Sequence, residues 1–299
     1  MPERRIPLWL WPNLLSLDAP IVALVWLSMF APIVGMVYRP WQAYAALGLV
    51  VWGIYILDRI MDLKLLGAGD DRLKERHLFH GRHQWVMTVI GVGALLGGAG
   101  IAVFTWPSIL IGHGYFTNEP DRQLGYIVPG LIMLGAYFVM AVSALQDEEI
   151  PHLRNLLAGL AFAYGTAMTA CVNGSQRDGV GDLLTSMPML SFALLCGINI
   201  SAIHFWEHSR KSPDLNVKAA HELALTLPLV VLAGLAALLV LFESVNLIRS
   251  FYISIMISAA LLFLLNRNRT RFSMDALRVL ADVALVVPFP VYLIMNNGS

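Results

Sequence analysis

The sequence predicts an all-α, polytopic membrane protein with nine transmembrane helices. Composition is the first reason. Of 299 residues, 58% are hydrophobic and 13% charged, where a soluble domain carries about 25% charged residues, and the mean hydropathy is +0.67. The second is that nine stretches approach the ~20 mostly apolar residues a helix needs to cross a bilayer. The third is an uneven distribution of basic residues between alternate connections. The 20 Lys and Arg equal the 20 Asp and Glu, so net charge says nothing about partners, and no nucleic acid is expected. The lipid bilayer is.

Residues 1–18 read as an interfacial segment. Trp9 and Trp11 stand among Leu8, Leu10, Leu14 and Leu15, and amphipathic rings of this kind settle at headgroup level. The first apolar run begins late, after Pro12 and Asp18, and no small-residue cleavage site separates it from the next. No cleavable signal peptide is expected. Spans are predicted at 19–38, 41–57, 85–104, 126–145, 155–173, 183–203, 222–242, 250–266 and 275–295. A tight turn at Arg39-Pro40 joins the first two, and long polar connections fall at 58–84, 105–125 and 204–221. Gly93 and Gly97, four apart, are expected to let another helix approach closely. Cys171 and Cys196 both lie inside spans, which suits small core residues better than a disulfide. Residues 1–299 read as a single transmembrane domain.

With the N-terminus in the cytoplasm, inside segments hold 16 basic residues and outside segments four, Arg39, Arg122, Arg177 and Arg249. This is the bias that the positive-inside rule requires, and it agrees with an odd number of spans. It puts connections 58–84 and 204–221 in the cytoplasm and the C-terminus outside, with a bacterial inner membrane as the expected location.

Asp58 and Asp62 stand out at the end of the second span. Four apart on a helix, they share a face. Two such carboxylates suit Mg²⁺, which is usually held by one or two carboxylates plus substrate phosphates. The alternative is a pair already solvated at the interface, with Asp62 bound to Arg59 or Lys64. The connection that follows carries His77, His80 and His83 at a spacing that lines one side of a short helix. It reads more readily as a solvated basic loop near headgroups than as a metal site, although its cations could hold phosphate. Asn199, within the sixth span, has no local polar partner. Glu207 lies two turns on and about 80° around the helix, either within the same constellation or paired to Arg210 or Lys211 beside the anchor Trp206. His204 and His208 fit an interfacial cap. Gln146-Asp147-Glu148-Glu149 reads as an exposed acidic turn ahead of Pro151, and Asp282 and Arg278 as partners of each other or of a neighbouring helix. Gly53-Ile54-Tyr55-Ile56 and Gly197-Ile198-Asn199-Ile200 occupy similar places in the two halves, a faint internal repeat. No P-loop, dinucleotide fingerprint, nucleophile elbow or zinc motif is present.

These residues resemble the UbiA-type superfamily of intramembrane prenyltransferases. Leu17-Asp18-Ala19-Pro20-Ile21 resembles the run that opens the family's first helix. Asp58-Arg59-Ile60-Met61-Asp62 resembles the second half of its first aspartate-rich motif. Leu153 to Gly165, with Gly159 and Phe162, resembles the start of its fifth helix, and Asn199 to Glu207 stands where its second acidic motif belongs. The resemblance implies nine helices around a cytoplasmic-side cavity and transfer of a prenyl group from its diphosphate to a lipid-soluble acceptor. Asp58 and Asp62 would be the catalytic Mg²⁺ ligands. Arg76, Asn199, Glu207 and Lys211 would bind a substrate whose tail is hydrophobic and isoprenoid-like. The chain departs from the pattern at Ile54, where the motif has Asn, and at Ser16, where Arg often stands. Glu148 and Glu149 fall where a basic pair is usual, and Asn199 and Glu207 are all that stands for the second motif. Lost carboxylates and cations weaken the hold on a diphosphate. The alternative implied is therefore a non-catalytic relative that binds a lipid, quinone or pigment, or serves as a membrane subunit.

Overall fold

The computed structural model describes residues 7–36, 40–66, 75–112, 120–143, 151–174, 179–211 and 213–297. Among them every regular element is helical. After a 3-10 turn at Leu8–Leu10 come α1 (Trp11–Leu14), α2 (Asp18–Ile33), α3 (Trp41–Leu66), α4 (Glu75–Arg82), α5 (Gln84–Gly112), α6 (Pro120–Ser143) and α7 (Pro151–Val172). They are followed by α8 (Val180–Thr185), α9 (Met187–Lys211), α10 (Leu215–Phe242), α11 (Asn246–Arg267), α12 (Met274–Val286) and α13 (Pro288–Asn297). The predicted turn at Arg39 and the acidic run at Glu148 and Glu149 lie outside the described residues.

Eight helices among the described residues are long and apolar enough to cross a membrane, α12 and α13 counting together as Met274–Asn296. Large apolar side chains on them face outward: Phe104 is 81% exposed and Phe242 85%. Such faces belong against lipid, and the chain is an integral membrane protein. The predicted first span is where the count of nine differs. Here α2 has 16 residues, which at 1.5 Å per residue falls short of the ~30 Å hydrocarbon core. The segment Leu8–Leu14 meets it at 82°, and only this bent pair, taken as one span, makes nine.

The chain forms two compact units, Met1–Leu24 with Arg39–Asn118, and Val25–Tyr38 with Glu119–Ser299. In the first, α3 and α5 run antiparallel with their backbones close. A Cβ on Gly53 would lie 2.7 Å from the Gly91 carbonyl oxygen, and one on Gly98 would lie 2.9 Å from that of Ala46. Without a hydrophobic drive between helices in lipid, this kind of van der Waals contact holds them together. The glycines responsible are not the expected Gly93 and Gly97, which are exposed. Gly91 and Gly98, seven residues and two turns apart, share the buried face instead. Ile56, Ile60 and Met87 form a small core beside them, packed by Trp52, Phe79 and Ile90.

In the second unit α9 is the central helix, with 56% of its span buried against 11% for α6. Its tightest crossing is with α7, where a Cβ on Gly159 would lie 2.4 Å from the Gly197 nitrogen. Trp26 stacks on Phe192 at 4.2 Å and meets Phe251 edge-on at 5.2 Å. Trp26 also donates to the Leu285 carbonyl at 2.9 Å, and Tyr292 donates to that of Met29 at 3.2 Å. These bonds tie the C-terminal part of α2 to α12 and α13. Cys171 and Cys196 are buried and form no disulfide, as expected of core residues.

Candidate functional site

The polar residues of the first unit gather where α1 turns into α2. Four carbonyls at a helix C-terminus lack intrahelical donors. Two backbone carbonyls at this end receive donors from α3: Arg59 Nη1 reaches that of Asn13 at 2.6 Å and Trp52 Nε1 that of Leu15 at 2.8 Å. Asn13 Nδ2 donates to Asp18 Oδ2 at 2.6 Å, and the Ala19 amide donates to Asp18 Oδ1 at 3.0 Å. Arg59 Nη2 stands 3.8 Å from Asp18 Oδ2, with the two side chains 4% and 11% exposed. Between them Ser16 takes a left-handed φ of 59°, an uncommon conformation outside glycine that a turn of this sharpness demands. Its hydroxyl lies 3.3 Å from His80 Nε2. His80 is fully buried, so α4 docks on the turn, and the expectation of a solvated loop fails at this residue. His83, on the same helix, is exposed.

Asp58 and Asp62 are half-buried on α3 on either side of this clamp. The cation between them in sequence, Arg59, points to Asp18 and Asn13. Lys64 is exposed, and the side chain of Arg76 lies outside the described residues. Among the described residues no group of three or more His, Cys, Asp or Glu is arranged to hold a metal. A pair of carboxylates still fits Mg²⁺, provided that phosphate oxygens and waters complete the shell.

The remaining predicted residues belong to the second unit, and α12 supplies their partners. Asn199 is 6% exposed. Its amide donates to Asp282 at 3.1 Å, while its Oδ1 is buried without a hydrogen bond. Glu207 Oε1 takes two bonds from Arg278, at 2.5 Å from Nη2 and 3.2 Å from Nε. Arg278, 4% exposed, also binds Asp275 at 2.7 Å. Glu207 thus meets Arg278 where the sequence offered Arg210 or Lys211. Arg210 donates to the carbonyls of Arg269 and Phe272, because the end of α9 lies against the connection before α12. Lys211 is exposed. Arg278 and Asp282 thus pair with a neighbouring helix, one of the two arrangements the sequence left open. Below this pair Trp206 donates to Asn266 at 2.9 Å, and Asn266 donates to Thr226 at 3.1 Å. The rings of His204 and His208 meet tilted by 40°, with centroids 4.0 Å apart.

Asp58, Asp62, Asn199 and Glu207 all stood out in the sequence. The clamp of Asn13, Ser16, Asp18, Arg59 and His80 did not. The available signal was an arginine at the end of an apolar run with a carboxylate, Asp18, at the start of the preceding one, since a charge near membrane depth is usually paired. Comparison with protein-family models, with curated proteins and with solved structures finds no match for the chain.

Proposed function

We propose that this membrane protein is a UbiA-like transferase that moves a prenyl group from a prenyl diphosphate to a lipid-soluble acceptor, with Asp58 and Asp62 holding Mg²⁺ on the diphosphate. The observation that carries the reading is the Asp18–Arg59 pair. It joins Leu17–Ile21 to Asp58–Asp62, the two segments in which the resemblance to the family is clearest. It also anchors the polar end of α3, so both carboxylates are presented from a fixed helix. Mg²⁺ bound there supplies positive charge that makes diphosphate a better leaving group. The prenyl C–O bond breaks with its electron pair departing on the diphosphate, the acceptor supplies the pair for the new bond, and the acceptor's proton is released. The resemblance implies Arg76 or Lys211 as the contact to phosphate. Asn199 and Glu207 are assigned to the α9–α12 interface.

That last assignment favours a second reading. With Glu207 held by Arg278 and Asn199 by Asp282, the second acidic cluster serves packing, as in a relative that keeps the fold and binds a lipid, quinone or pigment without transfer. Equilibrium binding of a radiolabelled prenyl diphosphate, with Mg²⁺ and with chelator, separates the two. Transfer requires Mg²⁺-dependent binding. Binding of the neutral prenyl alcohol with no Mg²⁺-dependent binding of the diphosphate selects the second. In either reading the protein sits in a bacterial inner membrane with its N-terminus in the cytoplasm. Impermeant thiol labelling from outside is expected to mark a cysteine placed at Asn118 and miss one at Ser212, and the reverse pattern would overturn the orientation.

A further inference from the structure

A groove of about 270 Å³ lies between α11 and α12. Its walls are apolar, with Leu264 and Leu265 on one side and Val283 and Ala284 on the other. Leu264 is 54% and Val283 42% exposed, so the groove opens on the outer face of the spans, where lipid chains run. The polar lining comes from Asn268 and Arg271, both in the connection between the two helices and therefore at one end of the groove.

The charges around that end are unequal. Arg267 and Arg269 both bind Glu222, at 3.0 and 3.1 Å. Arg278 is buried on Glu207 and Asp275. Asp275, the carboxylate four residues beyond Arg271, is thereby engaged by another arginine. Arg271 is left exposed, with no protein partner for its guanidinium among the described residues. An unpartnered guanidinium at the polar end of an apolar, lipid-facing groove complements a molecule with a phosphate at one end and a hydrocarbon chain at the other. Arginine binds phosphate through strong charge-assisted hydrogen bonds, and the bilayer supplies such molecules.

We propose that this groove is a binding site for an anionic phospholipid, one acyl chain between α11 and α12 and the headgroup phosphate on Arg271, the Asn268 amide being held by the Leu264 carbonyl at 2.9 Å. The proposal does not depend on the transferase reading. Delipidated protein in neutral detergent, titrated with phosphatidylglycerol or phosphatidylcholine of identical chains and read by native mass spectrometry, tests it. One phosphatidylglycerol is expected to be retained in preference to phosphatidylcholine. Arg271→Gln is expected to weaken it about tenfold, the low end of the worth of a hydrogen bond to a charged group. Arg267→Gln removes equal charge outside the groove and is expected to change nothing. Ala284→Leu, which fills the groove, is expected to weaken both lipids, and Arg271→Gln on the exposed connection carries the test if that variant does not fold. Equal retention of the two lipids, equal loss in Arg271→Gln and Arg267→Gln, or displacement by inorganic phosphate would each overturn the proposal. So would a dimer that excludes the lipid, since a second copy would then be the occupant.

Discussion

Replacing Arg59 by Met removes the cation and its donors and keeps most of the aliphatic stem. Losing one partner of a buried ion pair costs ~3–5 kcal/mol. The lower end applies here, because 3.8 Å is a long contact and Asp18 keeps its bonds from Asn13 and Ala19. The Asn13 carbonyl also loses its 2.6 Å donor, a loss of ~1–3 kcal/mol for a buried acceptor. Part of each loss is recovered by relaxation of the turn, which leaves about 3 kcal/mol. Because Ser16 is fully buried, a Ser16→Cys reporter makes the effect local. If the turn opens 3 kcal/mol more readily, maleimide labelling of that cysteine in micelles should accelerate about 10²-fold, since ~1.4 kcal/mol is tenfold at equilibrium. Asp18→Asn keeps the hydrogen-bonding shape and should cost less, with a coupling to Arg59→Met of at least ~1 kcal/mol in the double-mutant cycle. Unchanged labelling in Arg59→Met, together with zero coupling, would show that Arg59 does not clamp the turn and would release its charge for a phosphate.

Asp58→Asn and Asp62→Asn should each lower Mg²⁺-dependent transfer by about 10²-fold or more, with little change in the unfolding midpoint, because charge is lost and shape kept. Arg278→Met should lower stability by ~3 kcal/mol in mixed-micelle unfolding and Glu207→Gln by ~1 kcal/mol, and the double variant should lose less than their sum, since a buried pair removed together leaves no orphan charge. Gly159→Ala should cost ~3 kcal/mol because its Cβ would meet the backbone of Gly197, whereas Gly197→Ala meets first a flexible Leu156 methyl at 3.2 Å and should cost ~1 kcal/mol. Gly165→Ala, with open space around it, should cost nothing by the same assay.

The spans were readable because hydropathy is a property of one segment at a time. Prediction and structure agree within a few residues for 85–104 against Gln84–Phe104 and for 155–173 against Leu153–Val172. They part where helices continue past the apolar run. Helix α3 runs on to Leu66 and α10 begins at Leu215, because polar residues at the interface satisfy helix geometry as well as apolar ones do. At the other end of the scale, α2 stops at Ile33 although apolar residues follow. Position in sequence gave the shared face of Asp58 and Asp62 but not the facing residue of any other helix. Thus Gly93 and Gly97 had the right spacing on the wrong face, and Glu207 found Arg278, 71 residues away, in place of Arg210. Ser16 and His80, 64 residues apart, meet only through the bend at Ser16, and a serine in a left-handed conformation leaves no mark in a sequence.

In the proposed function, Asp58 and Asp62 hold a divalent cation together with a phosphate-bearing ligand. Mn²⁺ accepts the same carboxylate and water ligands as Mg²⁺ and reports its surroundings by electron paramagnetic resonance. In purified protein, adding a prenyl diphosphate is expected to convert free Mn²⁺ to one bound ion per chain, with phosphorus hyperfine coupling from the diphosphate. That bound signal should be lost in Asp58→Asn/Asp62→Asn and kept in Glu207→Gln. A bound signal that survives the double substitution, or none in the native protein at any ligand concentration, would contradict the claim.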